Sequence, residues 1–250
     1  QGAGLALLQA NARLCEALAG TANVFPVDSR KWTEASGAEA FSPKLWHMAK
    51  VPFGNGVFKE AVRDIKAALR GLEGGARKIV LVDLDNTLWG GIVGESGPEG
   101  LALGGHDPAG EAFADFQRAL KSLNRRGVQL GIVSRNEEAS ALEALRSHPE
   151  MILRPADFAG WRINWNDKAR NVADLLAELN LGPQSAVFID DSAVERARVR
   201  EALPEVLVPE WPSDPMLYTR ALLGLRCFDA PSLSAEDAGR TALYAARRKG

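Results

Sequence analysis

The chain has 250 residues, enough to bury a sizeable hydrophobic core as one large domain or as a core with an appendage. Its 30 Lys and Arg stand against 32 Asp and Glu, a near-neutral balance that leaves no electrostatic footprint for nucleic acid or an anionic membrane. No apolar stretch approaches the roughly 18 residues of a membrane span, and two distant cysteines, Cys15 and Cys227, lack disulfide-scaffold or metal-ligand spacing, which fits a cytoplasmic setting.

The opening Gln1-Gly2-Ala3-Gly4 has neither an initiator Met nor a charged signal-peptide region, so the sequence reads as a domain excised from a longer protein. Apolar residues recur at helical spacing from Leu5 to Ala19, which puts Cys15 on a buried stripe, and Gly20 is placed to end that helix. A short strand candidate spans Ala22 to Val27. Asp28 and Ser29 can cap a helix through Trp32, Ser42-Pro43 opens a segment holding Trp46, and Val57 to Leu72 is patterned as a helix. Gly74-Gly75 then breaks the pattern. Residues 1–76 are thus expected to form a mainly helical appendage packed on a catalytic core of residues 77–250.

Strand and helix patterns alternate in that core. Strands are expected at Lys78 to Val82, Val128 to Val133, Ala186 to Ile189 and Val206 to Val208, with Met151 to Leu153 a weaker candidate. Helices fit Glu111 to Arg125, Glu137 to Arg146, Lys168 to Leu179, Ala193 to Ala202, Pro215 to Leu223 and Ser234 to Lys249. This alternation predicts an α/β fold, a Rossmann-like parallel sheet with helices on both faces. The interval from Asp85 to Ser134 has room for the crossover helix but not for a large cap domain.

The run Ile79-Val80-Leu81-Val82 ends in Asp83 and Asp85. Functional groups of open α/β sheets sit where such strands end. Side chains two apart on a strand point the same way, although the loop can redirect either acid here; two acids that close repel unless a cation or a shared proton intervenes, and Mg²⁺ suits one or two carboxylates plus a substrate phosphate. A lone D-x-D is also how a strand caps itself into a turn. Two further strands end in polar groups, Ser134-Arg135-Asn136 and Asp190-Asp191-Ser192, and Asn166-Asp167-Lys168 opens a helix between them. A carboxylate nucleophile, a hydroxyl, a lysine and a second acidic pair are what phosphoryl transfer through an aspartyl-phosphate demands.

These four blocks resemble the signature of the haloacid dehalogenase superfamily. Asp-Leu-Asp-Asn-Thr-Leu-Trp-Gly-Gly-Ile-Val-Gly-Glu (83–95), Trp-Arg-Ile-Asn-Trp-Asn-Asp-Lys (161–168), Phe-Ile-Asp-Asp-Ser-Ala-Val-Glu-Arg (188–196) and Leu-Trp-His-Met-Ala-Lys-Val-Pro-Phe (45–53) resemble its FkbH-like branch of polyketide biosynthesis. Arg135 and Ser192 depart from that branch, where Lys and Asn are usual. The resemblance implies that Asp83 is the nucleophile, Asp85 the general acid and base, Ser134 a phosphoryl contact and Lys168 the neutralising cation. Mg²⁺ would be held by Asp83, Asp85 through its main-chain carbonyl, and Asp190, with Asp191 in support. Candidate substrate contacts are Asn86, Thr87, Trp89, Gly90 and Gly91 after the first acids, and Arg135 and Asn136 after Ser134.

The resemblance further implies a glyceryl transferase/phosphatase. It would take 1,3-bisphosphoglycerate, remove the ester phosphate and load the glyceryl unit on the phosphopantetheine thiol of an acyl carrier protein. A carrier-independent small-molecule phosphatase and a catalytically idle docking module are the alternatives. For both cysteines a buried structural thiol is expected, which favours direct attack by the carrier thiol.

Overall fold

The computed structural model describes residues 2–105 and 107–229. The expected helix from Ser234 onward and His106 lie outside the described residues. Two compact units divide between Leu72 and Glu73.

The first unit is helical. Helix α1 (Ala3–Leu18) has no buried residue, and Cys15 is exposed on it, contrary to the expected buried stripe. Residues 22–27 form no strand, because their apolar side chains Val24, Phe25 and Val27 stay exposed and meet no partner strand. Helix α2 (Arg30–Ser36) is anchored to α4 (Asn55–Leu72), where the Trp32 indole donates to Asp64 Oδ2 at 3.0 Å. Between them, α3 (Pro43–Ala49) begins with Pro at its first turn, and Ser42 Oγ accepts from the Leu45 N–H at 3.2 Å.

The second unit is built on strand β1 (Ile79–Val82), whose four residues are all fully buried. A short helix α5 (Val93–Ser96) and the long α6 (Pro108–Arg125) follow, then β2 (Gln129–Ser134), α7 (Glu138–Ser147), β3 (Gly160–Ile163), α8 (Lys168–Glu178), β4 (Ala186–Ile189), α9 (Ala193–Ala202) and α10 (Tyr218–Gly224). The four strands are parallel in the order β3-β2-β1-β4. Being central, β1 is covered on both faces, which is why it reads as an unbroken apolar run. Alternate residues feed two cores. Val80, Val82, Leu130 and Ile132 pack with Phe113, Phe116 and Leu120 of α6 and Leu145 of α7. Ile79, Leu81 and Phe188 pack with Val172 and Leu175 of α8 and Val199 of α9.

Two expected strands take another form. Met151 to Leu153 is loop, since the Ile152 and Leu153 N–H groups both donate to Gln117 Oε1 at 3.0 Å instead of to a strand. Val206 to Val208 contributes a single parallel bridge, Leu207 to Val187. The edge strand β3, Gly-Trp-Arg-Ile, was not among the expected strands. No described helix is long and apolar enough to cross a membrane.

Close approach of α8 to the sheet rests on two glycines. A Cβ at Gly131 would lie 2.6 Å from Leu81 Cδ2 of β1 and 3.3 Å from Leu175 Cδ2 of α8, and one at Gly160 would lie 2.7 Å from Leu175 Cδ1. Gly131→Val is therefore expected to overpack this face and cost about 1–3 kcal/mol. The urea midpoint checks it, and an unchanged midpoint would contradict the close packing.

Candidate active site

Because the strands are parallel, their C-terminal ends share one edge. The chain runs from β1 to β2 and β3 and then returns to the far side of β1 as β4. The sheet therefore has its switch point between β1 and β4, the place where open α/β sheets form a crevice. Asp83 leaves β1 there, yet its N–H still donates to Ile189 O at 3.0 Å, so the sheet itself fixes its backbone.

Asp83, Lys168 and Asp190 are all buried. The Lys168 ammonium stands 3.1 Å from Asp83 Oδ2 and 2.6 Å from Asp190 Oδ2. Burial alone would lower the Lys168 pKa, but the charges of Asp83 and Asp190 outweigh it and hold it above the ordinary value. Lys168 is the first residue of α8, capped by Asp167, whose Oδ1 accepts from the Arg170 N–H at 3.0 Å. Burial, and secondarily the charge on Asp83, push the Asp190 carboxyl up to about 6. The same two causes raise Asp191.

Asp191 is partly exposed, and its loop is held by groups from two directions. Arg196 Nη1 donates to the Asp190 and Asp191 carbonyls at 2.7 and 2.8 Å. Thr87 Oγ1 accepts from the Asp191 N–H at 3.2 Å, so Thr87, fully buried, supports the acidic loop and offers no free surface.

Ligand oxygens of Asp83, Asp190 and Asp191 lie within 4.8 Å of one another. Among the described residues Lys168 is the only cation ion-paired with these three carboxylates, so negative charge is left over. In addition, Asp83 Oδ1 is buried and has no hydrogen-bond partner among the described residues. A buried carboxylate oxygen left unpaired is costly. Both observations fit a divalent cation with oxygen ligands, held by these three acids.

Asp85 faces elsewhere. Its Oδ1 accepts from the Trp89 indole at 2.8 Å and the Val93 N–H at 3.1 Å, and Oδ2 accepts from Asn136 Nδ2 at 2.8 Å. Of the two acids, Asp85 is the one the loop redirects: the strand ends at Val82 and the backbone bends at Leu84, ahead of Asp85. The three-acid group forms without the Asp85 carboxylate. Burial raises the Asp85 pKa in spite of its three donors.

Several expected substrate contacts also brace this arrangement, and Asn86, Gly90 and Gly91 line a cavity beside Asp191. Trp89 is 0% exposed, so it has no surface to offer a ligand, and Asn136 is likewise buried against Asp85. Arg135, largely exposed, pairs with Glu195 at 2.8 Å. Asn86 Oδ1 accepts from the Gly91 N–H at 3.0 Å. Gly90 pairs in both directions with Ala102, at 3.0 and 2.9 Å, and a Cβ on it would fall 2.9 Å from Phe113 Cε2. Ser134, at the end of β2, is buried at the same sheet edge. Leu84, between the acids, turns wholly into the core, and Cys227 is buried as expected.

Two residues given no expected role also hold the site: Arg196, which closes the block 188–196, and Tyr218. Arg196 looks like one more charged residue of an exposed helix, and Tyr218, whose hydroxyl donates to the Asn86 carbonyl at 3.1 Å, is distant in sequence.

No family model and no curated protein matches the chain. Among solved structures it is similar to the N-terminal part of a Bacteroides fragilis protein, a fragment containing a phosphatase domain and complexed with Mg, at 33% identity and a TM-score of 0.83. The match covers 90% of this chain and 60% of that one. The α/β architecture is therefore that of a haloacid dehalogenase-like phosphatase domain.

The Asp190 shift has a thermodynamic consequence. An unfolded Asp titrates near 3.9, so a folded value of about 6 means that the fold prefers the protonated carboxyl. The stability this group contributes is complete below about pH 4 and lost as pH rises through about 6. In metal-free protein the wild-type urea midpoint should fall, relative to Asp190→Asn, across that window. A difference independent of pH would contradict the crowding of the acids.

Proposed function

We propose that this chain is a Mg²⁺-dependent phosphoryl-transfer enzyme working through an aspartyl-phosphate, and that its role is to load a glyceryl unit on an acyl carrier protein in polyketide biosynthesis. The observation that carries the chemistry is the buried, unpartnered Oδ1 of Asp83, beside the Lys168 ammonium and two further acids. The Mg²⁺-bound phosphatase-containing relative supports the same reading.

In the first step a carboxylate oxygen of Asp83 forms a bond to phosphorus while the bond to the ester oxygen breaks. Asp85 gives its proton to the departing oxygen, and its raised pKa keeps a protonated fraction available for this. In the second step Asp85 takes a proton from water, the water oxygen attacks phosphorus, and the bond to Asp83 breaks. Lys168 and Ser134 hold the equatorial oxygens. Mg²⁺ held by Asp83, Asp190 and Asp191 would neutralise the combined charge of carboxylates and phosphate. Trp89, Val93 and Asn136 keep the acid/base group apart from the nucleophile.

The finer role rests on the resemblance of the flanking blocks. The substrate would be 1,3-bisphosphoglycerate, whose acyl phosphate is already activated for attack by the phosphopantetheine thiol, so that only the ester phosphate needs the aspartate machinery. The relative's phosphatase domain favours a second reading, release of phosphate from small esters without a carrier.

Asp83→Asn is expected to abolish phosphate release, and Asp85→Asn to lower it by roughly 10²- to 10⁴-fold. Unchanged release in Asp83→Asn would contradict the mechanism. Incubation with 1,3-bisphosphoglycerate, Mg²⁺ and a phosphopantetheinylated carrier should add one glyceryl unit to the intact mass of the carrier. Phosphate release with no such gain would retire carrier loading in favour of the simple phosphatase.

A further inference from the structure

Asp191 faces two ways: it belongs to the three-acid group and also lines a cavity of about 510 Å³. The other walls include Gly90, Gly91, Phe113, Tyr218 and, on the exposed side, Ser213. Phe113 and Tyr218 meet edge to face with centroids 5.9 Å apart, and the Tyr218 hydroxyl is tied to Asn86, so this wall is braced.

Among the described residues the cavity offers an anion no cationic side chain, only the neutral donors of the Asn86 amide and the Ser213 hydroxyl. None of the described residues lining it is Lys, Arg or His, and its one charged group is the Asp191 carboxylate. Backbone donors do not substitute. The Gly90 N–H is spent on the Ala102 carbonyl and the Gly91 N–H on Asn86 Oδ1. The amino end of α6 reaches the cavity at Ala109, but the Ala109 and Gly110 N–H groups are consumed by Asp107 Oδ1 at 2.8 and 3.0 Å. A helix start that would otherwise attract an anion is already satisfied by a carboxylate. An anionic group placed here would lose hydration, face the Asp191 carboxylate and gain no counter-charge from the described walls.

We infer that this cavity receives the organic part of the phosphate ester and that this part is uncharged, so the enzyme discriminates against esters bearing a second anionic group. The inference rests on the phosphoryl-transfer reading and sharpens its substrate class. Free 3-phosphoglycerate carries a carboxylate and is disfavoured, whereas the same unit with its carboxyl masked as an ester or thioester is accepted. Hydrolysis would then follow capture of the acyl group rather than precede it.

The test compares kcat/KM for glycerol 3-phosphate, 3-phosphoglycerate and the methyl ester of 3-phosphoglycerate, in Mg²⁺, with Asp83→Asn as the blank for each. The two neutral-bodied esters are expected to exceed the free acid by about tenfold or more. Ser213→Arg, which adds a cation at the exposed wall, should narrow the gap by raising turnover of the free acid. Asp83-dependent hydrolysis with the free acid equal or preferred would overturn this inference alone, as would a gap that Ser213→Arg leaves unmoved. Absence of Asp83-dependent release from every ester would overturn the inference together with the reading beneath it.

Discussion

One ammonium group, that of Lys168, bridges two carboxylates that parallel strands deliver to the same edge. Asp83 ends β1 and Asp190 ends β4, and the ladder that places them side by side continues into Asp83 itself. Without the cation the two buried charges would repel in a medium that screens them weakly. Lys168 contacts one oxygen of each, which leaves Asp83 Oδ1 bare and the Asp191 carboxylate available. The site is thus organised around a charge deficit that the fold does not close by itself.

The second acid of the D-x-D run has an environment of its own. Asp83 and Asp85 are separated by a single residue, but Leu84 is driven into the core and the backbone bends there, so the two carboxylates part. One carboxylate goes to the lysine and the acidic pair; the other goes to Trp89, Val93 and Asn136. Environments that differ this way let neighbouring carboxylates take different tasks. Arg196, Thr87 and Tyr218 act behind this arrangement by holding the backbone or side chains of the loops that carry it.

The central strands were legible because burial on both faces leaves an uninterrupted apolar run, as in Ile79–Val82 and Ala186–Ile189. Edge strand β3 was not, since Gly160 and Arg162 dilute its pattern and its middle residues are only half-buried. Met151 to Leu153 has better strand composition, yet a side chain, Gln117, satisfies its backbone, and no local pattern reports a partner so far away in sequence. The four blocks marked the right edge of the sheet. What they could not report was direction: that Trp89 and Asn136 face Asp85 and not a ligand depends on where the turn after Val82 sends each side chain. Cys15 shows the same limit, because a helical stripe does not guarantee anything packed against it.

The claim that matters most is that Asp83 forms a covalent bond to phosphorus. Acid quenching during turnover of a phosphate ester in Mg²⁺, followed by peptide mass mapping, tests it directly. The account requires one phosphoryl group on the peptide carrying Asp83, lost in Asp83→Asn and accumulating when Asp85 is replaced by Asn. Turnover with no phosphoryl group on that peptide, or with the group on another residue, would contradict it.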